Sequence, residues 1–219
     1  MSKDQQFPEV IFLDAVGTLF GVRGSVGDIY GAVARQFGVE VSAPVLNQFF
    51  FQVFKASAPS VFTETDPVEL RAKEFAWWRA IAADTFKQAG AFDLFPNFDD
   101  FFAHLYAHFA TADPWVLYPD VCPALERWQR SGIQLGVLSN FDSRLYSVLQ
   151  ALDLSTFFSS ITISTEAGAA KPDSKIFAIA LQKHNCLPEF AWHIGDSLEE
   201  DYQGACRAGM RGIWLRRNG

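Results

Sequence analysis

Val10-Ile11-Phe12-Leu13-Asp14-Ala15-Val16-Gly17-Thr18 is the segment from which the fold class follows. The four apolar residues at its start include two β-branched side chains, which is typical of a strand buried on both faces of a parallel sheet. Asp14 follows this strand at once, and Gly17-Thr18 indicates a turn. A carboxylate fixed at a strand end can attack phosphorus or carbon and form a covalent aspartyl intermediate. The alternative is an Asp that only closes the strand into a turn.

The second half of the chain predicts the remaining strands of that sheet. After Pro119, strand-like and helical patterns alternate along the sequence. Strands that alternate with helices favour βαβ units and a parallel sheet. We therefore predict an α/β fold in which later strands complete the sheet begun at 10–13. The later strand-like runs lie at 135–138, 161–163, 192–194 and 213–215.

The long stretch between these two parts has a helical pattern throughout. Apolar residues recur at helical spacing from Val26 to Phe37, and Gly38 ends that run. Three further helices are predicted after it, and no strand pattern interrupts them. We predict a helical domain inserted after the first strand. The predicted core comprises residues 1–20 and 114–219, and the predicted insertion comprises residues 21–113.

Composition narrows the possible functions and locations of the protein. The chain has 219 residues and a net charge of −7, and no run of basic residues exceeds two. This argues against nucleic-acid binding, which needs a cationic surface. The three cysteines are widely spaced, so we expect each to be a small buried hydrophobe in a reducing compartment. No signal-peptide pattern and no apolar run of about 20 residues is present, and we expect a cytoplasmic protein without membrane contact.

Three more polar clusters follow predicted strand ends or precede predicted helices. They are Ser139-Asn140, Lys171-Pro172-Asp173 and the acidic segment from Gly195 to Asp201. In a doubly wound sheet, ligands bind outside the carboxyl ends of the strands. Four clusters at that one edge, counting the segment that contains Asp14, therefore indicate a site more strongly than any one cluster does.

Each cluster has a chemical role that suits its residues. The hydroxyl and amides of Ser139-Asn140 can hydrogen-bond phosphoryl oxygens. The ammonium of Lys171 can neutralise both the nucleophile and the charge that develops during phosphoryl transfer. Asp196 can supply a carboxylate to Mg²⁺ from the strand end that faces Asp14, while Asp201 is expected behind it or bound through water.

Each cluster also has a purely structural explanation. Ser139-Asn140 could form an Asx turn or cap a helix. Lys171 could be a solvated surface lysine, with Pro172-Asp173 in the first turn of a helix. The acidic segment could do no more than favour the first turn of a helix through its dipole, which is the role that we expect for Glu199-Glu200.

Taken in order, the four clusters resemble the four sequence motifs of the haloacid dehalogenase superfamily. Their order, their spacing and the position of the helical insertion agree together, and the resemblance covers almost the whole chain. The matching segments are Asp14 to Leu19, Ser139-Asn140, Lys171-Pro172-Asp173 and Gly195 to Asp201. Three segments further resemble one branch of subfamily IA, which is called REG-2-like or the haloacid dehalogenase-like hydrolase domain-containing protein 3 type. These segments are Trp77-Trp78, Leu117 to Asp120 and Ser139 to Asp142.

This resemblance implies a fold, a cofactor and a set of site residues. The implied fold is a Rossmann-like core of strand order 3-2-1-4-5 with a C1-type helical cap, hinged near residues 19–25 and 110–118. The implied cofactor is Mg²⁺, held by Asp14, the backbone carbonyl of Val16, Asp196 and waters. The other predicted roles are catalysis for Asp14 and Lys171, substrate binding for Thr18, Ser139 and Asn140, and support behind the metal for Asp201.

One position departs from the pattern of the family. Phosphatases of this superfamily carry a second Asp two residues after the nucleophile, as general acid and base, and this chain has Val16 there. An isopropyl group cannot transfer a proton, and such catalysis is worth roughly 10²–10⁴-fold. Haloacid dehalogenases of the superfamily carry Tyr at this position and lack the acidic pair that binds magnesium. Phosphonatases carry a small residue and use a cap lysine, for which this chain offers Lys55, Lys73 and Lys87.

The leading functional prediction is Mg²⁺-dependent hydrolysis of a small phosphorylated metabolite through an aspartyl intermediate on Asp14. Two alternatives stay open. One is dehalogenase-type or phosphonatase-type hydrolysis, at a carbon–halogen or carbon–phosphorus bond. The other is a non-catalytic protein that binds a ligand or a partner protein through the same site. We expect a monomer or a homodimer.

Overall fold

The computed structural model describes residues 7–64 and 66–217. By their contacts, the described residues divide into two units. Residues 7–21, 60–64 and 117–217 form the first, which we call the core unit, and residues 22–59 and 66–116 form the second, which we call the helical unit. Residues 60–64 lie inside the predicted insertion but cluster with the core unit. The domain boundaries drawn from the sequence, after residues 20 and 113, stay a prediction.

The strands are β1 Val10–Leu13, β2 Phe20–Val22, β3 Trp115–Leu117, β4 Gln134–Ser139, β5 Ser160–Ile163, β6 Ala191–Gly195 and β7 Arg211–Trp214. The α-helices are α1 Val26–Gln36, α2 Ala43–Ala56, α3 Pro67–Gln88, α4 Phe98–His108, α5 Val121–Arg130, α6 Arg144–Ala151, α7 Ser164–Ala167, α8 Ser174–His184 and α9 Gly204–Arg207. None of the described helices combines the length and the apolar character needed to cross a membrane.

The core unit is built on a parallel sheet of order β5-β4-β1-β6-β7. Numbered along the chain without β2 and β3, this is the predicted order 3-2-1-4-5, and the predicted α/β class is confirmed. All four residues of β1 are buried, as expected for a central strand. Leu13 lies in register with Val137 of β4 and with Ile194 of β6, so the chain leaves all three central strands at one edge. We call this the carboxyl edge of the sheet, and the opposite one the amino edge.

Aromatic side chains make up much of the interior of the helical unit. Its buried cluster contains Tyr30, Phe50, Phe86 and Phe101, together with smaller apolar residues. Their rings meet mostly edge to face, as in the pair Phe86–Phe101, whose centroids are 5.1 Å apart. The high phenylalanine content of the chain thus serves packing in this unit.

Three local features of the structure differ from what the sequence predicts. The strands β2 and β3 pair with each other in a small sheet, and at three residues each they are too short to show a strand pattern. Asp173 precedes α8 as its N-cap and accepts from the N–H of Lys175, so Pro172-Asp173 lies before the first turn of the helix. The segment Leu198–Gln203 is π-helical, a rare geometry that a sequence pattern does not signal.

The cysteines are free thiols, and none of the three is fully buried, contrary to the expectation. Cys122 and Cys186 are partly buried, whereas Cys206 is exposed. Cys206 lies on α9, which buries Gly204 and Ala205 against the core and turns its other face to solvent. Helical position, and not residue type, therefore determines the environment of this thiol.

Candidate functional site

The predicted site residues converge at the carboxyl edge of the core sheet. Asp14 is the first residue after β1, and its backbone N–H donates to Ile194 O on β6 at 2.9 Å. Ser139 ends β4, and Asp196 directly follows β6. Lys171 reaches Asp14 from the segment before α8. The parallel register of the central strands explains this convergence, because the ends of those strands share one edge.

Lys171 is held between two carboxylates. Its Nζ donates to Asp14 Oδ1 at 2.6 Å and to Asp201 Oδ1 at 2.5 Å, and its side chain is 1% exposed. Burial alone would lower the pKa of Lys171, but the negative charges of Asp14 and Asp201 outweigh burial and raise it. A buried ammonium that keeps its proton can balance the charge of Asp14 and of an anion bound beside it.

Asp201 is the fixed partner of that lysine. Besides the Lys171 ammonium, it interacts with His193 Nε2 at 2.8 Å through Oδ1 and accepts from the Ser197 N–H at 2.9 Å through Oδ2. Burial would raise the pKa of Asp201, but the hydrogen bond from His193 and the charge of Lys171 hold it well below its usual range. Because three donors surround it, Asp201 stays ionised and keeps Lys171 in place.

His193 lies within β6 and is completely buried. Burial lowers the pKa of His193, and the hydrogen bond with Asp201 opposes that effect only in part. The neutral ring with its proton on Nε2 is the form that can donate to Asp201. Its Nδ1 has no hydrogen-bond partner among the described residues.

Asp196 lies against the loop that follows Asp14. A Cβ added to Gly17 would come within 2.5 Å of the Asp196 carboxyl carbon, and Gly17 has a φ of +88°. Glycine is therefore the only residue that fits the available space and readily adopts the backbone conformation at this position. Burial, and then the negative charges of Asp14 and Asp201, raise the pKa of Asp196 to about 6.

These carboxylates suit a divalent cation. One oxygen each of Asp14, Asp196 and Asp201 lies within 4.8 Å of the other two. The negative charge of Asp201 is already balanced by its contacts with Lys171, His193 and Ser197. The repulsion between Asp14 and Asp196 is relieved less by neighbouring groups. Carboxylate oxygens are hard donors of the kind that Mg²⁺ and Ca²⁺ prefer. A cation between them would relieve the repulsion that, after burial, raises the pKa of Asp196.

Asn140 holds the backbone of the lysine. Its Oδ1 accepts from the Lys171 N–H at 2.7 Å, and its Nδ2 donates to Lys171 O at 2.9 Å and to Glu200 Oε2 at 3.1 Å. The side-chain amide thus acts on Lys171 through both of its polar atoms. Burial raises the pKa of Glu200, and the charge of Lys171 opposes that effect.

The other predicted residues occupy the same edge with different exposure. Ser139 and Thr18 are buried, and Thr18 Oγ1 has no hydrogen-bond partner among the described residues. The backbone carbonyl of Thr18 accepts from Arg217 at 2.6 Å. Val16 is 36% exposed, two residues after Asp14, so an apolar side chain faces solvent beside the charged cluster.

Sequence reasoning missed two residues of this site. His193 stands in a strand of otherwise apolar and small residues, and a buried polar side chain there requires a partner, which was a usable signal. Glu200 was assigned only a dipole role, since acidic residues are common in first turns. Its contact with Asn140 spans 60 positions of sequence and has no local signal.

Comparisons with known proteins agree with this geometry. A sequence profile described as haloacid dehalogenase-like hydrolase matches residues 8–209. The chain is 34% identical over 197 residues to haloacid dehalogenase-like hydrolase domain-containing protein 3 of Bos taurus, an overlap of 90% of this chain and 77% of that protein. It is also 40% identical over 101 residues to a glyceraldehyde 3-phosphate phosphatase of Methanopyrus kandleri, an overlap of 46% of this chain and 43% of that protein.

Solved structures show the same fold at lower identity. The L-2-haloacid dehalogenase of Xanthobacter autotrophicus superposes with a TM-score of 0.68 at 19% identity, over 93% of this chain and 76% of that one. At such identity the match supports the fold alone. The profile match over most of the chain, together with the relatives above 30% identity, identifies the family. This chain belongs to the haloacid dehalogenase-like hydrolase family.

Proposed function

We propose that this protein is a Mg²⁺-dependent, phosphatase-type hydrolase that acts on a small phosphorylated metabolite, with Asp14 as the nucleophile. The observation that carries the proposal is the ion pair of Lys171 Nζ with Asp14 Oδ1 at 2.6 Å, in a cluster that also contains the Asp196 carboxylate. A nucleophilic carboxylate needs its charge balanced before a phosphate dianion can approach it. Lys171 supplies one positive charge at that point.

Each residue of the site has a separate proposed role in this reaction. Asp14 attacks phosphorus, and Lys171 balances the charge of Asp14 and of the transferred group. Ser139 and Thr18 are proposed to hydrogen-bond phosphoryl oxygens. Thr18 Oγ1, which has no hydrogen-bond partner within the described part of the chain, supports that role. Asn140 is proposed to act first by holding Lys171, since both of its side-chain polar atoms engage the Lys171 backbone. Its predicted contact with substrate stays a prediction.

Mg²⁺ is the proposed cofactor, held by Asp14, the backbone carbonyl of Val16 and Asp196. When bound, it supplies positive charge that screens the acidic cluster and the phosphoryl oxygens. The support is the pair of carboxylates whose mutual repulsion contributes to the raised pKa of Asp196. Asp201 is proposed to act through Lys171, because Lys171, His193 and Ser197 already occupy its oxygens.

Relatives support more than one chemistry for the family. The Methanopyrus kandleri relative is a phosphatase by name, whereas the Xanthobacter autotrophicus structure is a dehalogenase. Displacement of a halide has no need of a second carboxylate next to the nucleophile. The adjacency of Asp14 and Asp196 therefore favours the phosphatase-type proposal.

The test is a turnover screen with purified protein and Mg²⁺ across phosphoesters, haloacids and phosphonates. Phosphate release from phosphoesters, lost in Asp14→Asn, is the expected result. Halide release or carbon–phosphorus cleavage would replace the proposal with the corresponding alternative. Turnover in none of the three classes would favour a binding protein.

Calorimetry tests the cation separately. Wild-type protein is expected to bind Mg²⁺, and Asp196→Ala is expected to bind it more weakly because a ligand is lost. Asp173→Ala is a matched control, since that carboxylate caps α8 outside the acidic cluster. Equal binding by wild type and Asp196→Ala would remove Asp196 from the proposed cation site.

A further inference from the structure

The groups around Asp14 are committed to one another, which limits their use as proton donors. Lys171 Nζ donates to two carboxylates, and its side chain is 1% exposed. Asp201 is an acceptor for three donors. His193 is completely buried, and its Nε2 is already engaged with Asp201. The side chain that does face solvent two residues after Asp14 is that of Val16, which has no proton to give.

The leaving group must therefore depart without a proton from these residues. When an alkyl phosphate is cleaved, the oxygen that leaves belongs to an alcohol, an acid about as weak as water, with a pKa of roughly 15.7. Proton donation to such a group is worth roughly 10²–10⁴-fold in rate. When an acyl phosphate is cleaved, a carboxylate leaves, and its conjugate acid has a pKa of about 4. It departs as a stable anion without a proton.

We propose that acyl phosphates are the substrate class of this site, an inference that rests on the proposed function. An Asp14 oxygen attacks phosphorus, a new phosphorus–oxygen bond forms, and the bond between phosphorus and the acyl oxygen breaks. The electron pair of that bond leaves with the carboxylate, and no proton moves. The phosphoryl group passes from one mixed anhydride to another, so the bond type is conserved in the transfer.

The second half of the reaction also lacks a group that can transfer a proton. Hydrolysis of phospho-Asp14 requires water to attack phosphorus and lose a proton, and Val16 cannot accept one. Phospho-Asp14 should therefore form faster than it is hydrolysed. A burst of about one equivalent of carboxylate, followed by slower turnover, is the kinetic sign of such an intermediate.

Asp196 is assigned to the cation, which makes Glu200 the competing proton donor among the described residues of the core unit. Its Oε2 accepts from Asn140 Nδ2 at 3.1 Å, close to the Lys171 backbone. We assign it to holding Asn140. A glutamine at this position keeps an oxygen that can accept from Asn140 but has no proton to deliver as an acid. Glu200→Gln should then change turnover of acyl and alkyl phosphates by the same factor.

The experiment compares acetyl phosphate, p-nitrophenyl phosphate and glycerol 3-phosphate with Mg²⁺ on the wild-type protein. The expected kcat/KM falls in that order, with acetyl phosphate exceeding glycerol 3-phosphate by at least about 10²-fold. Intact-mass analysis after acetyl phosphate should show one added phosphoryl group that hydroxylamine removes and that Asp14→Asn lacks. This readout does not depend on turnover.

Two variants at position 16 sharpen the result. Val16→Asp should raise kcat/KM for glycerol 3-phosphate by at least about tenfold and change kcat/KM for acetyl phosphate much less, because kcat/KM reports the formation of phospho-Asp14 and only the alkyl leaving group needs a proton in that step. Val16→Asn, of nearly the same shape as Asp, supplies no acid and should give no such gain. The wild-type series of three donors decides the question even where a variant fails to fold.

Different outcomes separate this inference from the proposed function. A wild-type kcat/KM for glycerol 3-phosphate as high as that for acetyl phosphate would overturn the inference and leave a phosphatase. So would a selective loss of alkyl phosphate turnover in Glu200→Gln, which would make Glu200 the acid. No adduct and no turnover with any of the three donors would overturn the proposed function itself and the inference with it.

Discussion

The two edges of the core sheet each carry a histidine, in opposite electrostatic settings. At the carboxyl edge, His193 belongs to a cluster of three carboxylates and a buried ammonium. At the amino edge, His184 lies between two neutral side chains, with Nε2 2.6 Å from Ser160 Oγ and Nδ1 2.8 Å from Gln134 Oε1. Ser160 begins β5 and Gln134 begins β4, so this second group ties α8 to the start of two strands.

The difference shows how one sheet separates stability from chemistry. At the amino edge, the hydrogen bonds of His184 join neutral side chains, which stabilises the fold and leaves no cluster of charges to attract a ligand. At the carboxyl edge, repulsion between carboxylates persists, and burial together with this repulsion raises the pKa of Asp196 to about 6. Charge repulsion that the protein itself does not relieve is typical of a site where a ligand binds. Substitutions at the two edges should therefore have different consequences.

The largest effect is expected at the nucleophile. Asp14→Asn keeps an oxygen that can accept from Lys171 but removes the nucleophilic carboxylate, so kcat should fall by on the order of 10⁵–10⁶-fold. Phosphate release under Mg²⁺ measures this loss. Ser160→Ala, at the amino edge, is the matched substitution and should leave kcat unchanged while lowering stability. Comparable loss of activity in both variants would mean that the edges do not differ in function.

Lys171→Met should affect both activity and stability. Without the ammonium, kcat should fall by roughly 10²–10³-fold, the effect of removing one group that stabilises the transition state. Asp14 and Asp201 would also keep buried charges without their cation, which costs about 3–5 kcal/mol. Enzyme assays and urea unfolding measure the two effects.

Lys175→Met is the control for that substitution. Lys175 lies four residues further along, in the first turn of α8, and its exposed Nζ donates to the backbone carbonyl of Gly168 at 3.1 Å. Its removal should change stability by less than about 1 kcal/mol. Full activity in Lys171→Met would contradict the charge-balancing role.

His193→Phe should give an intermediate effect. It removes the donor to Asp201 and preserves a ring, so kcat should fall about tenfold, as for one hydrogen bond to a charged group. His193→Gln offers an amide donor and should recover part of that loss. Phe177→Leu alters the edge contact with the His193 ring, at 5.5 Å between centroids, but no hydrogen bond, and so controls for packing. Equal loss in the Phe and Gln variants would reduce His193 to a packing role.

Most of the core sheet could be predicted from the sequence. Apolar runs and helical spacing predicted the strands of the core sheet, because each signal is local and repeats. The strands β2 and β3, at three residues each, carry no such repeat. The position of residues 60–64 in the core unit depends on contacts that no local pattern encodes.

The candidate site followed from the sequence only in part. Parallel strands bring their ends to one edge, so the sequence alone was enough to predict Asp14, Ser139 and Asp196 at the same edge. The hydrogen bonds of Asn140 with Lys171 join residues 31 positions apart, and their geometry depends on the folded chain. For the same reason, sequence reasoning gave Asn140 a substrate contact and overlooked its hold on the lysine.

The smallest expected effect concerns pH and the amino edge. Burial, and then the nearby charge of Lys183, lower the pKa of His184 below its usual 6.5. The folded protein thus binds this proton less tightly than the unfolded chain does. Stability contributed by neutral His184 is present above pH 6.5 and is lost as pH falls below that value. His184 is about half-buried, so solvent screening keeps the loss to on the order of 0.5 kcal/mol. His184→Gln removes the titration, and the difference in unfolding free energy between wild type and variant should shrink from pH 7.5 to 5.5. Every other titrating group is common to both proteins, so an identical pH dependence in the two would show that His184 is not held in its neutral form by Ser160 and Gln134.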